Sequence, residues 1–406
     1  MATETIQVEG HIVDSLILAK ILDAILEAGA DYELVDVEIG KTNTDSSRAS
    51  IAVHADDQAT LDALLDDLQV HGANRTVQSA AVLEAAEQDG VLPRGFHSTT
   101  NLDTDVLIDG TWHAVENPEM DCGIVVDEPD GKVRVRTIPM HRVRAGDRIV
   151  VGRDGVRVQA PERRNVAGSF EFMGSEVSSE KPKGLMIRYV ADRIRAARAE
   201  GERVLLVAGP AAIHTGAGPD LATLVEHGWI SCLFTGNGFA THDLESNVLG
   251  TSLGVGVADG VPVEGGHANH VRVINEIRRH GSIAAAVEAG YVTGGVMHAC
   301  VRAGVPFVLA GSVRDDGPLP DTMTDVAAAA DAMRDQVPGV QVALMLATTL
   351  HAIATGNVLP ASVETFCVDI NQAVVTKLAD RGSHQAVGIV TDIGVFVRQL
   401  TSELCS

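Results

Sequence analysis

Arg314, Asp315, Asp316 and Asp321 crowd one short loop that Gly317, Pro318 and Pro320 punctuate. Three carboxylates around one guanidinium can hold the ammonium groups of a substrate or a pair of ribose hydroxyls, and proline rigidity suits a positioned carboxylate. A solvated acidic loop is the plainer account of the same residues. Asp316 is expected to serve a site. Thr348, Thr349, Leu350 and His351 end the apolar run Val342 to Leu346, where His351 is placed to move a proton or simply to hydrogen-bond the local backbone. Asn237 and Gly238 follow the run Trp229 to Phe234; a side-chain amide beside a backbone without Cβ can meet a ribose or a carboxamide, or merely form a turn. Lys377, one of six lysines, shares a helix face with Arg381 and reads either as a site cation or as a surface residue.

These residues have a common setting. Segments 232–243, 308–321, 365–371 and 387–394 each put Gly, Asn or Asp directly after a continuous apolar run. Buried parallel strands that line a ligand crevice have carboxyl ends of this kind. Val204 to Gly218 reads as a strand entering a glycine-bearing turn and a helix, a context for phosphate, although its spacing is not GxGxxG. The stretch from Glu264 to His270 is rich in histidine without the remainder of a metal set, so no metal is expected.

The elements that must position these groups alternate as helix and apolar strand from about Leu185 onward, which predicts a doubly wound α/β sheet over 184–406. Residues 93–183 read as a β-rich unit and linker. Its strands are expected at 104–112, 122–127, 133–138 and 148–152, with Asp130-Gly131 and Asp154-Gly155 as hairpin signals. Residues 1–92 show the order βαββαβ: an extended start over 5–13, a helical stripe from Leu16 to Ile25, strands at 32–39 and 49–54, a helix from Asp57 to Leu68 and a short strand near 75–80. That order predicts a small ferredoxin-like α+β module.

The net charge of −24 argues against a nucleic-acid partner, since a polyanion is repelled by such a surface. Abundant Asp with little Lys suits a cytoplasm of very high salt, the setting of a halophilic archaeon. No run has the length of a membrane span, and the start of the chain is not that of a signal peptide, so a cytoplasmic protein is expected. Five scattered cysteines without CxxC point to reduced thiols.

With these motifs the chain resembles the archaeal ornithine cyclodeaminase family, formerly the LOR/SDH bifunctional enzyme conserved region, and the C-terminal part of the cyanobacterial arginine dihydrolase and ornithine cyclodeaminase fusion. The resemblance runs through His11 to Ser15, Gly236 to Asp243, Gly311 to Pro320, Leu350 to Asn357 and Cys367 to Asn371. It implies a Rossmann-like C-terminal domain similar to that of deoxyhypusine synthase, which explains the missing GxGxxG. It also implies NAD contact by Asn237, Gly238, Asp316, Thr348, Thr349, Leu350, His351, Asp369, Asp392 and Ile393. The activity implied is conversion of L-ornithine to L-proline and ammonia with NAD+ recycled in each turnover, for which Asp316 and His351 are the candidate bases and Lys377 a candidate cation. The sequence does not include the fusion's guanidine-modifying domain, which speaks against arginine dihydrolase activity. A lysine or saccharopine oxidoreductase and a non-catalytic NAD or amino-acid sensor are the alternatives. The expected partner is a small amino acid, and the expected assembly a homo-oligomer.

Overall fold

A computed structural model describes residues 2–13, 17–41, 45–69, 71–76, 79–159, 183–256, 261, 263, 266–315, 317–380 and 386–405. The chain packs as two compact units, Met1–Gly174 with Leu359–Ser362, and Ser175–Val358 with Val363–Ser406.

In the first unit a four-stranded antiparallel sheet has the spatial order Asp31–Glu38, Ser47–Ala55, Ala2–Gly10, Asn74–Arg75. The helices Ile17–Glu27 and Gln58–Gln69 complete the predicted βαββαβ sequence. Ile17, Ile21 and Ile25 recur every fourth residue and are buried with Ile6, Val8, Ile51 and Val53. Each such side chain contributes about 1.5–3 kcal/mol by leaving water.

The remainder of this unit is β-rich, in two small sheets. Two expectations fail here. The run 104–112 is not one strand but two, Thr104–Ile108 and Thr111–Ala114, folded back at Asp109-Gly110. Both turn residues have positive φ, 47° and 78°, the conformation a two-residue hairpin turn requires. Asp154-Gly155 is not a hairpin turn. The strand before it, Arg148–Val151, pairs with Val82–Ala85 and Gly123–Asp127, whereas the strand after it, Val156–Val158, pairs with Thr104–Ile108, so the chain changes sheets there. Gly155 is forced by space as well, since a Cβ would stand 2.2 Å from the Ala81 nitrogen.

In the second unit, seven described strands form a parallel sheet in the order Thr322–Met323, Phe307–Ala310, Cys232–Gly236, Arg203–Ala208, Val340–Leu346, Glu364–Asp369, Ala386–Val390. The central strands are buried almost throughout, which explains their uninterrupted apolar sequences. From Arg203–Ala208 the chain steps outward through three strands on one side and then builds three on the other. Cys232, Cys300 and Cys367 are buried free thiols, and burial pushes them up to about 11, 12 and 12. Among the described residues no helix is long and apolar enough to cross a membrane.

Candidate active site

The strand order reverses between Arg203–Ala208 and Val340–Leu346. Loops leaving these two neighbours turn apart, and the crevice between them is where open α/β sheets take ligands. The loop starts nevertheless touch. A Cβ on Gly209 would lie 2.1 Å from the carbonyl oxygen of Ala347 and 3.0 Å from Cβ of Thr348, so only glycine fits. Ala347 has φ of 47°, a left-handed conformation that non-glycine residues rarely hold.

Around this point four helices begin directly after strands: Asn237–Leu249, Leu350–Val358, Gln372–Asp380 and Ile393–Cys405. The dipoles of such helix starts favour an anion such as a pyrophosphate, though Asp392 already takes the Val395 N–H of the last helix and Asn371 the Ala373 N–H of the third. Thr348 and Thr349 precede the second of these, and His351 lies in its first turn. His351 is brought against Gly236, where a Cβ would stand 3.0 Å from Cε1 of the imidazole. Burial holds the His351 imidazolium below its ordinary range, with the Asp315 carboxylate pulling the other way. One turn further on the same face, the fully buried hydroxyl of Thr355 has no hydrogen-bond partner among the described residues.

Asn237 is buried, and its Oδ1 accepts from the Leu319 N–H at 2.9 Å and the Thr322 hydroxyl at 3.3 Å. This side chain therefore ties the 311–322 loop to the start of its own helix. The loop is fixed twice more: Arg278 donates to the Pro318 carbonyl, and Asp321 accepts from the Ile283 N–H at 2.9 Å. Asp315 accepts from Ser312 N–H at 2.7 Å. Two of the clustered acids are thus engaged by backbone, and Arg314 is exposed. Asp316 lies outside the described residues, as does Arg381.

Gly238 packs against Pro210, whose Cγ would be 3.2 Å from an added Cβ. Asp369 is buried at the end of its strand and accepts from the Asn371 N–H at 2.8 Å. Asp392 caps the last helix by accepting from Val395 N–H at 2.9 Å, and Ile393 behind it is buried. The geometry therefore gathers Asn237, Gly238, Thr348 to His351, Asp369, Asp392 and Ile393 on one edge of one sheet. Lys377 is exposed, more than a turn beyond the start of its helix.

Two acids that sequence reasoning passed over are wholly buried on the helix Asn237–Leu249. Asp243 accepts from the N–H groups of Val296 and Met297, at 2.9 and 2.8 Å, and so caps a neighbouring helix. Burial pushes its carboxyl up to about 6 against those two hydrogen bonds. Glu245 accepts from the Thr251 hydroxyl at 2.8 Å and the Gly254 N–H at 3.1 Å, with His242 Nδ1 at 3.1 Å from its other oxygen. Their spacing from Asn237 was visible; the partners of Asp243, more than fifty residues on, and the fold-back of Thr251 and Gly254 onto Glu245 were not. Among the described residues no group of three or more His, Cys, Asp or Glu side chains is placed to hold a metal.

Comparison with known proteins fits this architecture. Residues 188–400 match the family described as arginine dihydrolase ArgZ-like, C-terminal, Rossmann fold; residues 103–187 match its C-terminal first region, and 3–102 the LOR/SDH bifunctional enzyme conserved region. The ornithine cyclodeaminase of Methanothermobacter thermautotrophicus is 49% identical over 405 residues, spanning 100% of this chain and 98% of that protein. The chain belongs to the ornithine cyclodeaminase family. Members of that family matched here include proteins of the archaea Methanopyrus kandleri and Methanocaldococcus jannaschii, so the relatives give no support to a halophilic source.

Among solved structures, cyanobacterial ArgZ, an arginine dihydrolase of the ornithine-ammonia cycle, superposes with a TM-score of 0.84 at 34% identity, over 100% of this chain and 58% of ArgZ. The ternary complex of AgrE, a Nostoc protein, with ornithine and NAD+ gives 0.54 at 40% identity, over 100% of this chain and 57% of AgrE. For the ornithine cyclodeaminase family member described here, the fold is thus mixed α/β with a Rossmann-type C-terminal region and a parallel sheet.

Proposed function

We propose that the chain is an NAD-dependent ornithine cyclodeaminase, releasing L-proline and ammonia from L-ornithine. The observation that carries this reading is the end-to-end match, at 49% identity, to a protein of that name. The site's residues suit the cofactor: four helix N-termini for its phosphates, glycines 209, 236 and 238 where backbone must come close, and the orphaned Thr355 hydroxyl. NAD+, when bound, accepts hydrogen with its electron pair from the substrate's α-carbon and later returns it, so the reaction is redox-neutral overall.

Asn237, Gly238, Thr348 to His351, Asp369, Asp392 and Ile393 would hold it at the sheet edge. His351, neutral through burial, is suited to accept the proton of the α-ammonium group, with Asp316 the alternative base. The δ-nitrogen attacks the imine carbon, the carbon–nitrogen bond to the original α-nitrogen breaks, and ammonia leaves. Lys377, exposed on its helix, has no part in this reading.

The description of residues 3–102 as an LOR/SDH region keeps one rival, an oxidoreductase of lysine or saccharopine. Such an enzyme accumulates NADH in proportion to product, whereas a cyclodeaminase accumulates none, so absorbance during turnover separates them.

The finer organisation follows the same reading. Residues 1–92 form a ferredoxin-like module, as their antiparallel strand order supports; 93–183 form a β-rich unit and 184–406 the NAD-binding domain. The protein works in the cytoplasm as a homo-oligomer. If its charge of −24 reflects adaptation to high salt, its melting temperature rises as KCl is raised from 0.1 to 3 M, molar values on the order of those that screen surface charge within a few ångström.

A further inference from the structure

The helix that starts at Asn237 carries a carboxylate–imidazole pair in its second and third turns. His242 Nδ1 lies 3.1 Å from Oε2 of Glu245, which is 0% exposed, while His242 itself is 12% exposed. The other oxygen of Glu245 takes the Thr251 hydroxyl and the Gly254 N–H. Burial disfavours this carboxylate's charge, but the hydrogen bonds from His242, Gly254 and Thr251 outweigh it and hold the group below its ordinary range. Glu245 is therefore a buried anion fixed on three sides. It fixes the imidazole in turn: Nδ1 carries the hydrogen donated to Glu245, so in the neutral ring Nε2 bears the lone pair.

His242 lies on the helix face that meets the segment following the strand Arg203–Ala208. It is four residues beyond Gly238, hence on the same helix face, and Gly238 is the residue packed against Pro210. The short helix after Pro210 ends in His214, whose ring meets that of His242 edge-on at 4.7 Å between centroids. His214 is exposed and its Nδ1 lies 2.7 Å from the Ser252 hydroxyl. His270 completes the surroundings, its ring 6.5 Å from that of His242. Asp243, next in sequence, turns away to the N–H groups of Val296 and Met297. The imidazoles thus run from solvent at His214 to a buried carboxylate at Glu245.

We propose that His242 is the acid–base residue for the substrate's distal amino group, with Glu245 its positioning residue and His214 its link to solvent. This rests on the reading of the chain as an ornithine cyclodeaminase. A free alkylammonium group loses its proton only near pH 10, so at neutral pH the δ-nitrogen has no lone pair until a base removes one proton. In the proposed step the δ N–H bond breaks and the Nε2–H bond of His242 forms, giving an imidazolium paired with Glu245. After ring closure the ring nitrogen is cationic with two hydrogens: Nε2 gives its proton to the α-nitrogen and takes one from the ring nitrogen, whose lone pair then expels ammonia. The ammonia finally takes that proton and leaves as ammonium, so His242 takes two protons and returns two in each turnover.

The test compares wild type with His242→Gln and Glu245→Gln in pH profiles of proline formation, in NAD+ affinity by titration calorimetry, and in histidine ring-proton NMR titrations. His242→Gln should lower kcat by roughly a hundredfold or more, the usual worth of a general acid–base group, and leave NAD+ affinity unchanged. Glu245→Gln should move the ionisation governing kcat, and the NMR midpoint of His242, to lower pH by the same amount. A brace for the 251–256 hairpin would instead lower stability and leave the profile where it was. Should His242→Gln fold poorly, the wild-type titration decides: ornithine must shift the His242 midpoint, and an unmoved midpoint overturns the proposal. If wild type makes no proline the parent reading falls; if wild type makes it and the variants keep its rate and profile, this proposal alone falls.

Discussion

Gly236 and His351, 115 positions apart in the chain, are in contact: a methyl group on Gly236 would stand 3.0 Å from Cε1 and 3.4 Å from Nε2 of the imidazole, with the Ala310 carbonyl oxygen 3.3 Å away on another side. Between a ring and a carbonyl the methyl group has no free direction, so the ring must yield. Gly236→Ala is therefore expected to shift His351 by a few tenths of an ångström and to reduce kcat for proline formation by about tenfold, since small misplacements at a reacting centre are costly. Steady-state kinetics beside a thermal melt check this. A variant as active as wild type would mean that His351 does not work from its observed position.

Asn237 has the task of an anchor. Its Oδ1 receives the N–H of Leu319, a residue almost wholly buried, so Asn237→Ala leaves that donor without its partner. The expected loss is about 1–3 kcal/mol of stability in denaturant unfolding, the cost of an unsatisfied buried group. Because the same loop carries Asp316, NAD+ affinity should fall with it. Unchanged stability would show that the loop holds without Asn237.

Asp243 gives a pH dependence whose sign is fixed. Its folded carboxyl titrates at about 6, above the unfolded value near 4, so the folded state holds the proton more tightly. The stability this contributes is complete below pH 4 and is lost as pH rises through 6. Asp243→Asn carries no titrating group, so its stability relative to wild type should improve between pH 4 and 7, by on the order of 3 kcal/mol. Denaturant midpoints at four pH values measure the difference. Parallel curves for the two proteins would contradict the burial argument.

Much of the fold was legible because its signals are local. The apolar runs at 203–208, 342–346 and 387–390 could be read as strands buried on both faces, and Ile17, Ile21 and Ile25 as one helical stripe. The hairpin at Asp109-Gly110 was legible too and was passed over, because the flanking residues look equally strand-like on both sides. The site was half legible. Residues after each strand identify the edge, but nothing local tells which edges are neighbours, so the contact of Gly209 with Ala347 and of Gly236 with His351 needed the sheet order. Asp243 and Glu245 stayed hidden for the same reason. An acid on a helix reads as solvated until the partners that bury it, Val296 and Met297 or Thr251 and Gly254, are brought to it by tertiary structure.

The central claim is that the chain turns ornithine into proline without net redox change. Purified protein with L-ornithine and a catalytic amount of NAD+ should yield proline and ammonia in equal amounts, well beyond the quantity of NAD+ supplied, with no lasting rise in NADH absorbance. NADH accumulating in step with product would make the protein an oxidoreductase, and the absence of proline would contradict the account outright.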